Sequence, residues 1–246
     1  MSVACRGPRV AIMQPYFLPY IGYWQLLSNV DVFVVYDDIQ FTKKGWINKN
    51  RFLLNKNPET FSLSLKKASD YLDVRERELS ETFDSERMKL LRRMEGAYRK
   101  APFFEEGFDL LLEVLEYPQR NLFSFILNSI EVVKNRLSIN TKLVVSSTLG
   151  VPRSLAGQDR VIATSKKLNA KEYVNPIGGL ELYSRQAFEN MGVTLLFQEV
   201  QPFAYDQFGH DFVPNLSIVD VIMFLGIEKT KAILPDMGLI EPPVSY

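Results

Sequence analysis

Along the chain, short runs of β-branched and aromatic residues alternate with longer stretches whose apolar residues recur at helical spacing. That alternation marks βαβ units and a mainly parallel sheet. Arg9 to Met13 reads as a buried strand, followed by a proline-bounded loop and a helix from about Pro19 to Asn29. Asp31 to Tyr36 predicts a second strand, which runs into Asp37-Asp38 and a polar loop reaching Arg51. Thr60 to Leu65 alternates like a strand with one wet face. From about Leu72 to Arg136 the spacing is helical, with a charged helix over Glu76 to Lys100 and a strongly apolar one over Leu122 to Leu137. The βαβ pattern then resumes with strands at Lys142 to Ser146, Glu172 to Asn175 and Thr194 to Phe197. Gln158 to Leu168 and Leu180 to Met191 predict the crossover helices, and a last helix begins near Ser217. The architecture expected is a single α/β domain over 1–246, a three-layer Rossmann-like (nucleotidyltransferase-like) sheet with a helical insertion or cap at about 72–118.

Composition narrows the chemistry. With 246 residues, 46% of them hydrophobic, the chain can bury a sizeable core without metals or disulfides. Lys plus Arg and Asp plus Glu both total 29, so no net charge favours duplex nucleic acid or an anionic membrane. No apolar run approaches the ~20 residues of a spanning helix, and no signal-peptide pattern opens the chain. The expectation is a cytoplasmic protein with no membrane insertion; a homo-oligomer stays open. Cys5 is the lone cysteine and His210 the lone histidine, which excludes an intrachain disulfide and a His/Cys zinc site. No Gly-x-Ser-x-Gly elbow is present to supply a serine nucleophile.

In open α/β sheets ligands bind beyond the carboxyl ends of the strands. The predicted strands end in Gln14-Pro15, Asp37-Asp38, Ser146-Ser147, Asn175-Pro176 and Gln198, with Gly178-Gly179 just past the fifth. Strand ends favour such residues in any case, but five polar ends together predict a site there. Gly178-Gly179 offers backbone N–H groups to a phosphate, or simply an open turn at a helix start. Asp37, Asp38, Gln40, Lys43, Lys44, Trp46, Asn48, Asn50 and Arg51 form the densest polar stretch. Paired carboxylates suit Mg²⁺, an amine proton or an ammonium group; Arg51 suits phosphate and Trp46 a planar ring. Among the aromatics near the first helix, Tyr16 and Tyr20 are the ones placed to touch a ligand. Ser217 with Asp220 reads as a capping box, although Asn215 and Ser217 face a pocket if that helix points inward. His210 is a candidate general base tuned near neutral pH, or an incidental loop residue.

Three stretches then carry a resemblance. They are Met13-Gln14-Pro15-Tyr16-Phe17-Leu18-Pro19-Tyr20-Ile21-Gly22-Tyr23, Asp31 to Phe41 with Gly45-Trp46-Ile47-Asn48-Lys49-Asn50-Arg51, and Phe212 to Asp220. Together they resemble the WbqC-like proteins of bacterial surface-polysaccharide (O-antigen, lipopolysaccharide) clusters, over nearly the whole chain and in order. The resemblance implies a transferase or ligase that attaches an acyl or aminoacyl group, such as glycyl, to the amine of a nucleotide-linked amino sugar. Its motif positions fall on Gln14, Pro15, Tyr20, Gly22, Asp37, Asp38, Gln40, Trp46, Asn50, Arg51, Asn215 and Ser217. A fainter likeness links Tyr20-Ile21-Gly22-Tyr23 to the His-x-Gly-His signature of nucleotidylyl-transferring folds, with both histidines replaced by tyrosine. Ser146-Ser147 and Gly157-Gln158-Asp159-Arg160 are similar to the later substrate loop of those folds.

The catalytic candidates are therefore Asp37 or Asp38 as acceptor of the amine proton, and His210. Arg51 with Gly178-Gly179 would hold phosphate, Trp46 or Tyr20 would stack on a base, and Gln14 and Asn215 would orient substrate. Pro15, Tyr16, Gln40, Asn50, Ser147, Asn175 and Ser217 complete the binding set. The partners are a nucleotide-linked sugar and an acyl or aminoacyl donor. The residues leave the cofactor unknown, with ATP and Mg²⁺ the ones a ligase or nucleotidyl-transfer route would use. The alternatives are such a nucleotidyl or sugar-nucleotide transferase and a non-catalytic nucleotide-sugar binding module.

Overall fold

Val10, Ala11 and Ile12 are solvent-free on both sides of their strand, which requires a central position in a sheet covered on both faces. The computed structural model describes residues 7–242 and bears this out. Cys5 lies outside the described residues.

In chain order the elements are β1 (Arg9–Met13), α1 (Ile21–Ser28), β2 (Val32–Val35), β3 (Lys49–Leu54) and β4 (Asn57–Ser62). Then come α2 (Phe83–Tyr98), α3 (Phe104–Leu115), α4 (Leu122–Arg136), β5 (Lys142–Val145) and α5 (Gly157–Lys167). The chain continues with β6 (Glu172–Pro176), α6 (Arg185–Glu189), β7 (Thr194–Val200), α7 (Ile218–Ala232) and β8 (Met237–Ile240). Six strands form one sheet in the order β5-β2-β1-β6-β7-β8, all parallel except β8, which runs antiparallel on β7. Strand order reverses between β1 and β6, so the carboxyl ends of these two strands flank the topological switch point.

Two cores cover the sheet. Phe33, Val35 and Ala11 pack into the larger one with α1, α3, α4 and α7, while Val10, Ile12 and Val34 meet α5 and α6 in the smaller. Leu90, Met94, Leu110, Leu111 and Val114 belong to the larger core. The helical stretch expected as an insertion therefore shares the hydrophobic core of the sheet's first face.

Several boundaries differ from the sequence expectation. The polar loop through Arg51 contains a strand, β3, which pairs antiparallel with β4 from Lys49↔Ser62 to Leu54↔Asn57. Short hairpins with one exposed face carry too few apolar residues to announce themselves. The helix expected over Glu76 to Lys100 begins only at Phe83. Before it the backbone is spent elsewhere: Lys66 N donates to Glu78 O, Leu79 N to Arg120 O and Ser80 N to Ser64 O, so this stretch stays extended. Leu180 to Met191 is a 3₁₀ segment (Ile177–Leu182) followed by the short α6. The edge strand β8 was not anticipated, because four residues containing a glycine give no alternation to read.

Candidate functional site

Parallel pairing places the carboxyl ends of β5, β2, β1, β6 and β7 along one edge of the sheet. At β2 and β5 the polar residues meet directly. Ser146 Oγ lies 2.8 Å from Asp37 Oδ1 and 2.5 Å from Asp38 Oδ1, so one hydroxyl proton serves two carboxylates. Ser147 donates to Asp37 through its backbone N–H at 3.0 Å and its hydroxyl at 2.7 Å. Arg160 Nη2 donates to Asp38 Oδ2 at 2.5 Å and Nη1 to the Asp38 carbonyl at 3.3 Å. Arg75 adds a looser contact, 3.7 Å from Asp37 Oδ2. Burial by itself would raise the Asp38 pKa, but the Ser146 hydrogen bond and Arg160 outweigh it and hold the carboxyl below its ordinary value. The Arg160 guanidinium also lies over the Tyr36 ring, whose phenol burial pushes up to about 12.

Every oxygen of the aspartate pair thus accepts a hydrogen bond from the protein. The carboxylates expected to accept the amine proton are both buried, and at Asp38 the bonds from Ser146 and Arg160 lower its basicity. Those hydrogen bonds occupy part of the lone-pair capacity that Mg²⁺ would need. Among the described residues no group of three or more His, Cys, Asp or Glu is arranged to hold a metal ion. The pair clamps the ends of β2 and β5 together.

A cavity of about 310 Å³ lies instead on the loop side of β1, lined by Tyr16, Pro19, Tyr20, Trp46, Asn50, Arg51 and Asn215. Three distant segments converge there because the backbone stitches them together. Asn50 Nδ2 donates to the carbonyls of Phe17 (3.2 Å) and Leu18 (2.7 Å), and Ser217 Oγ to Leu18 O at 2.8 Å. Ser217 N donates to Arg51 O, Ile218 N to Pro19 O, and Phe17 N to Ile47 O. These bonds hold Leu18 at φ 46, a left-handed value that local preference disfavours. The first N–H groups of α7 are spent as well, Ile218 N on Pro19 O, Val219 N on Ser217 Oγ and Asp220 N on Ser217 O, so its N-terminus is not an anion site.

Within the cavity Arg51 is the charged group. Its Nη2 donates to Asn215 O at 3.3 Å, its guanidinium sits 5.4 Å from the centre of the Trp46 ring, and its buried Nε has no hydrogen-bond partner among the described residues. Nε is closed off from the cavity, whereas the exposed Nη2 end can reach an acceptor such as a phosphate or carboxylate oxygen. Trp46 is 44% exposed, an apolar ring presented at the mouth. Burial raises the pKa of Tyr16 and Tyr20, so both stay protonated donors across the physiological range. Tyr16 donates to Gln14 Oε1 at 3.3 Å, linking the cavity to the end of β1.

Gly22 explains the posture of Tyr20. A Cβ on Gly22 would fall 2.5 Å from the Tyr20 ring. Gly22→Ala should therefore swing Tyr20 out of its place, weakening ligand binding about tenfold while costing only ~1–3 kcal/mol of stability from overpacking. Calorimetric titration beside chemical denaturation checks the pairing of effects, and undiminished affinity would show that Tyr20 does not shape the cavity.

The remaining candidates fall outside this cavity. Ser217 is fully buried and belongs to the stitching. Asp220 does not complete a capping box: its carboxylate accepts from Tyr98 Oη (2.6 Å), Tyr205 Oη (2.5 Å) and Gln207 Nε2 (2.9 Å). Asn50, by contrast, lines the cavity, with its side-chain N–H groups spent on the Phe17 and Leu18 carbonyls. Pro15 is buried, and Gln40 donates to Asp70 O on the surface. Asn175 bonds to Tyr173 and Pro176, and its amide packs where a Gly179 side chain would be. Gly178-Gly179 opens a 3₁₀ segment, a less ordered array of N–H groups than the α-helical N-terminus expected for phosphate. His210 lines a separate cavity of about 510 Å³ with Leu53, Lys56, Lys100 and Phe208. Arg160, which the fainter resemblance puts in a substrate loop, is held against Asp38, a partner that nothing local in the sequence marks.

A mostly parallel sheet covered by helices on both faces, with an aromatic, arginine-bearing cavity beside its carboxyl edge, defines a three-layer α/β protein. More specifically, the chain belongs to the WbqC-like protein family, whose model matches residues 14–232. It is 26% identical over 223 residues to the uncharacterized protein Rv1507c of Mycobacterium tuberculosis (strain ATCC 25618 / H37Rv), covering 89% of this chain and 95% of that one. No solved structure gives a significant match. Among the described residues no helix is long and apolar enough to cross a membrane.

Proposed function

We propose that the protein binds a nucleoside-diphosphate-linked amino sugar in the Tyr16–Trp46–Arg51 cavity and transfers an acyl or aminoacyl group to its amine in surface-polysaccharide synthesis. The observation that carries this is the Arg51 guanidinium, exposed at its Nη2 end, beside an exposed tryptophan. That combination suits an anionic ligand bearing a flat ring, with the guanidinium on phosphate and Trp46 or Tyr20 against the base. At about 310 Å³ the cavity is at the small end of ligand sites, so part of the ligand would extend along the open carboxyl edge.

In the transfer the amine nitrogen bonds to the acyl carbon, and the activating group departs with the electron pair of its bond. The nitrogen gives up one proton. No carboxylate or imidazole is among the residues lining the cavity, so they bind and orient while the departing group takes that proton. The aspartate pair supports the edge on which the sugar would rest.

The test is calorimetric titration with a nucleoside diphosphate, its amino-sugar conjugate and the N-acetylated conjugate, followed by mass spectrometry for amide product with acyl and aminoacyl donors. The free amine should bind and be consumed. Binding without product across donors would instead support a sugar-nucleotide binding module, and no affinity for any nucleoside diphosphate would overturn the reading.

A further inference from the structure

Asn215 lines a second cavity of about 240 Å³ as well as the first. The two therefore adjoin at this residue, yet their chemistry differs. Ile21 and Val221 supply aliphatic surface from α1 and α7, and Phe203, Tyr205 and Phe212 supply aromatic surface from the segment between β7 and α7. No charged side chain is among the lining residues, though Gln201 and Asn215 bring amides to the wall.

The aromatic wall is held in place. Phe203, Tyr205 and Phe212 contact one another with ring centres 5.0–6.2 Å apart. Tyr205 spends its hydroxyl on the buried Asp220, leaving its ring to the cavity. Gln207, bonded to the same carboxylate, also exchanges hydrogen bonds with the backbone of Val213, which pins the loop on both sides of Phe212. At the junction Asn215 adopts φ 58, its carbonyl is held by Arg51, and its side-chain amide makes no hydrogen bond among the described residues.

We infer that this second cavity takes the apolar, aliphatic acyl group of the donor, with the Asn215 amide meeting the acyl carbonyl where the two cavities adjoin. This rests on the sugar-nucleotide reading and narrows it, since a glycyl group would gain little from an aromatic-walled apolar chamber. With an acyl thioester as donor, the sugar amine bonds to the acyl carbon, the carbon–sulfur bond breaks, and the sulfur leaves with the electron pair and receives the amine proton.

The experiment titrates the intact protein with S-acetyl, S-butanoyl and S-hexanoyl N-acetylcysteamine, which carry an acyl group and no nucleotide. Affinity should rise about fourfold per methylene, the fold-change equivalent of ~0.8 kcal/mol per buried CH₂, until the chamber is full. Val221→Phe, which fills the chamber, and Phe212→Ala, which removes part of its wall from a half-buried position, should each flatten that slope. The second variant keeps the test decisive if the first fails to fold. A flat slope in the unsubstituted protein, or one unchanged in both folded variants, overturns the assignment. Titration with a nucleoside diphosphate in parallel separates the two readings: a flat acyl slope beside intact nucleotide binding sinks the acyl chamber alone, whereas a steep slope without nucleotide binding supports the chamber and sinks the sugar-nucleotide reading.

Discussion

Arg160→Met should lower the stability of the folded protein by roughly 3–5 kcal/mol, the cost of stranding a buried charge. Arg160 is nearly buried, and its guanidinium supplies both the 2.5 Å bond to Asp38 Oδ2 and a bond to the Asp38 carbonyl. Without it, Asp38 would keep a serine hydroxyl that it already shares with Asp37 and the bond to its own backbone. The pH dependence gives a sharper test. The folded pKa of Asp38 is lowered, so its stabilising contribution is complete above the unfolded value of ~3.9 and is lost as pH falls through the folded value. The gap between wild type and Arg160→Met should therefore be largest near neutrality and shrink once Asp38 is protonated. Urea denaturation from pH 7 to pH 3 measures it. A gap that stays constant across that range would mean that lost packing against Tyr36, rather than the ion pair, accounts for the change. Asp38→Asn combined with Arg160→Met should recover part of the loss, because the stranded charge is then gone.

Arg51→Met should weaken binding of a nucleoside-diphosphate sugar by about 10- to 150-fold, the worth of a charge-assisted hydrogen bond of ~1.5–3 kcal/mol. Fold stability should change far less. The guanidinium gives the chain one modest 3.3 Å bond to the Asn215 carbonyl and leaves a buried Nε without a partner, so methionine removes an unmet donor as well as a charge. An effect of the opposite shape, with strong destabilisation and unaltered affinity, would place Arg51 in the scaffold beside Asn50. Arg51→Lys should rescue only a small part of the affinity, since an ammonium lacks the planar fork that reaches two oxygens at once. Raising the salt concentration should weaken the wild-type complex more than the variant one.

The parallel sheet was legible because its strands are apolar on both faces: Arg9–Met13 was anticipated to the residue, and β2, β5, β6 and β7 to within a few. The family was legible too, because its motifs are long and lie in order within 14–232. The make-up of the candidate cavity was legible in part. Tyr16, Tyr20, Trp46, Arg51 and Asn215 were singled out separately and meet in one cavity, whereas the aspartates and Ser147, equally conspicuous as polar strand ends, turn toward one another. Strand-end polarity alone cannot distinguish these fates, since a carboxylate looks the same in sequence whether it faces a ligand or a serine from the neighbouring strand.

What the residues determined unaided was local: periodicity, which follows from the repeat of strand and helix, and the motif spacing that identifies the family. What only the tertiary structure decided was pairing at a distance. Asp38 meets Arg160 across 122 positions, and Ser217 reaches Leu18 across 199. Such contacts are set by strand order and by where unpaired backbone groups find partners, neither of which is encoded in any short stretch of chain.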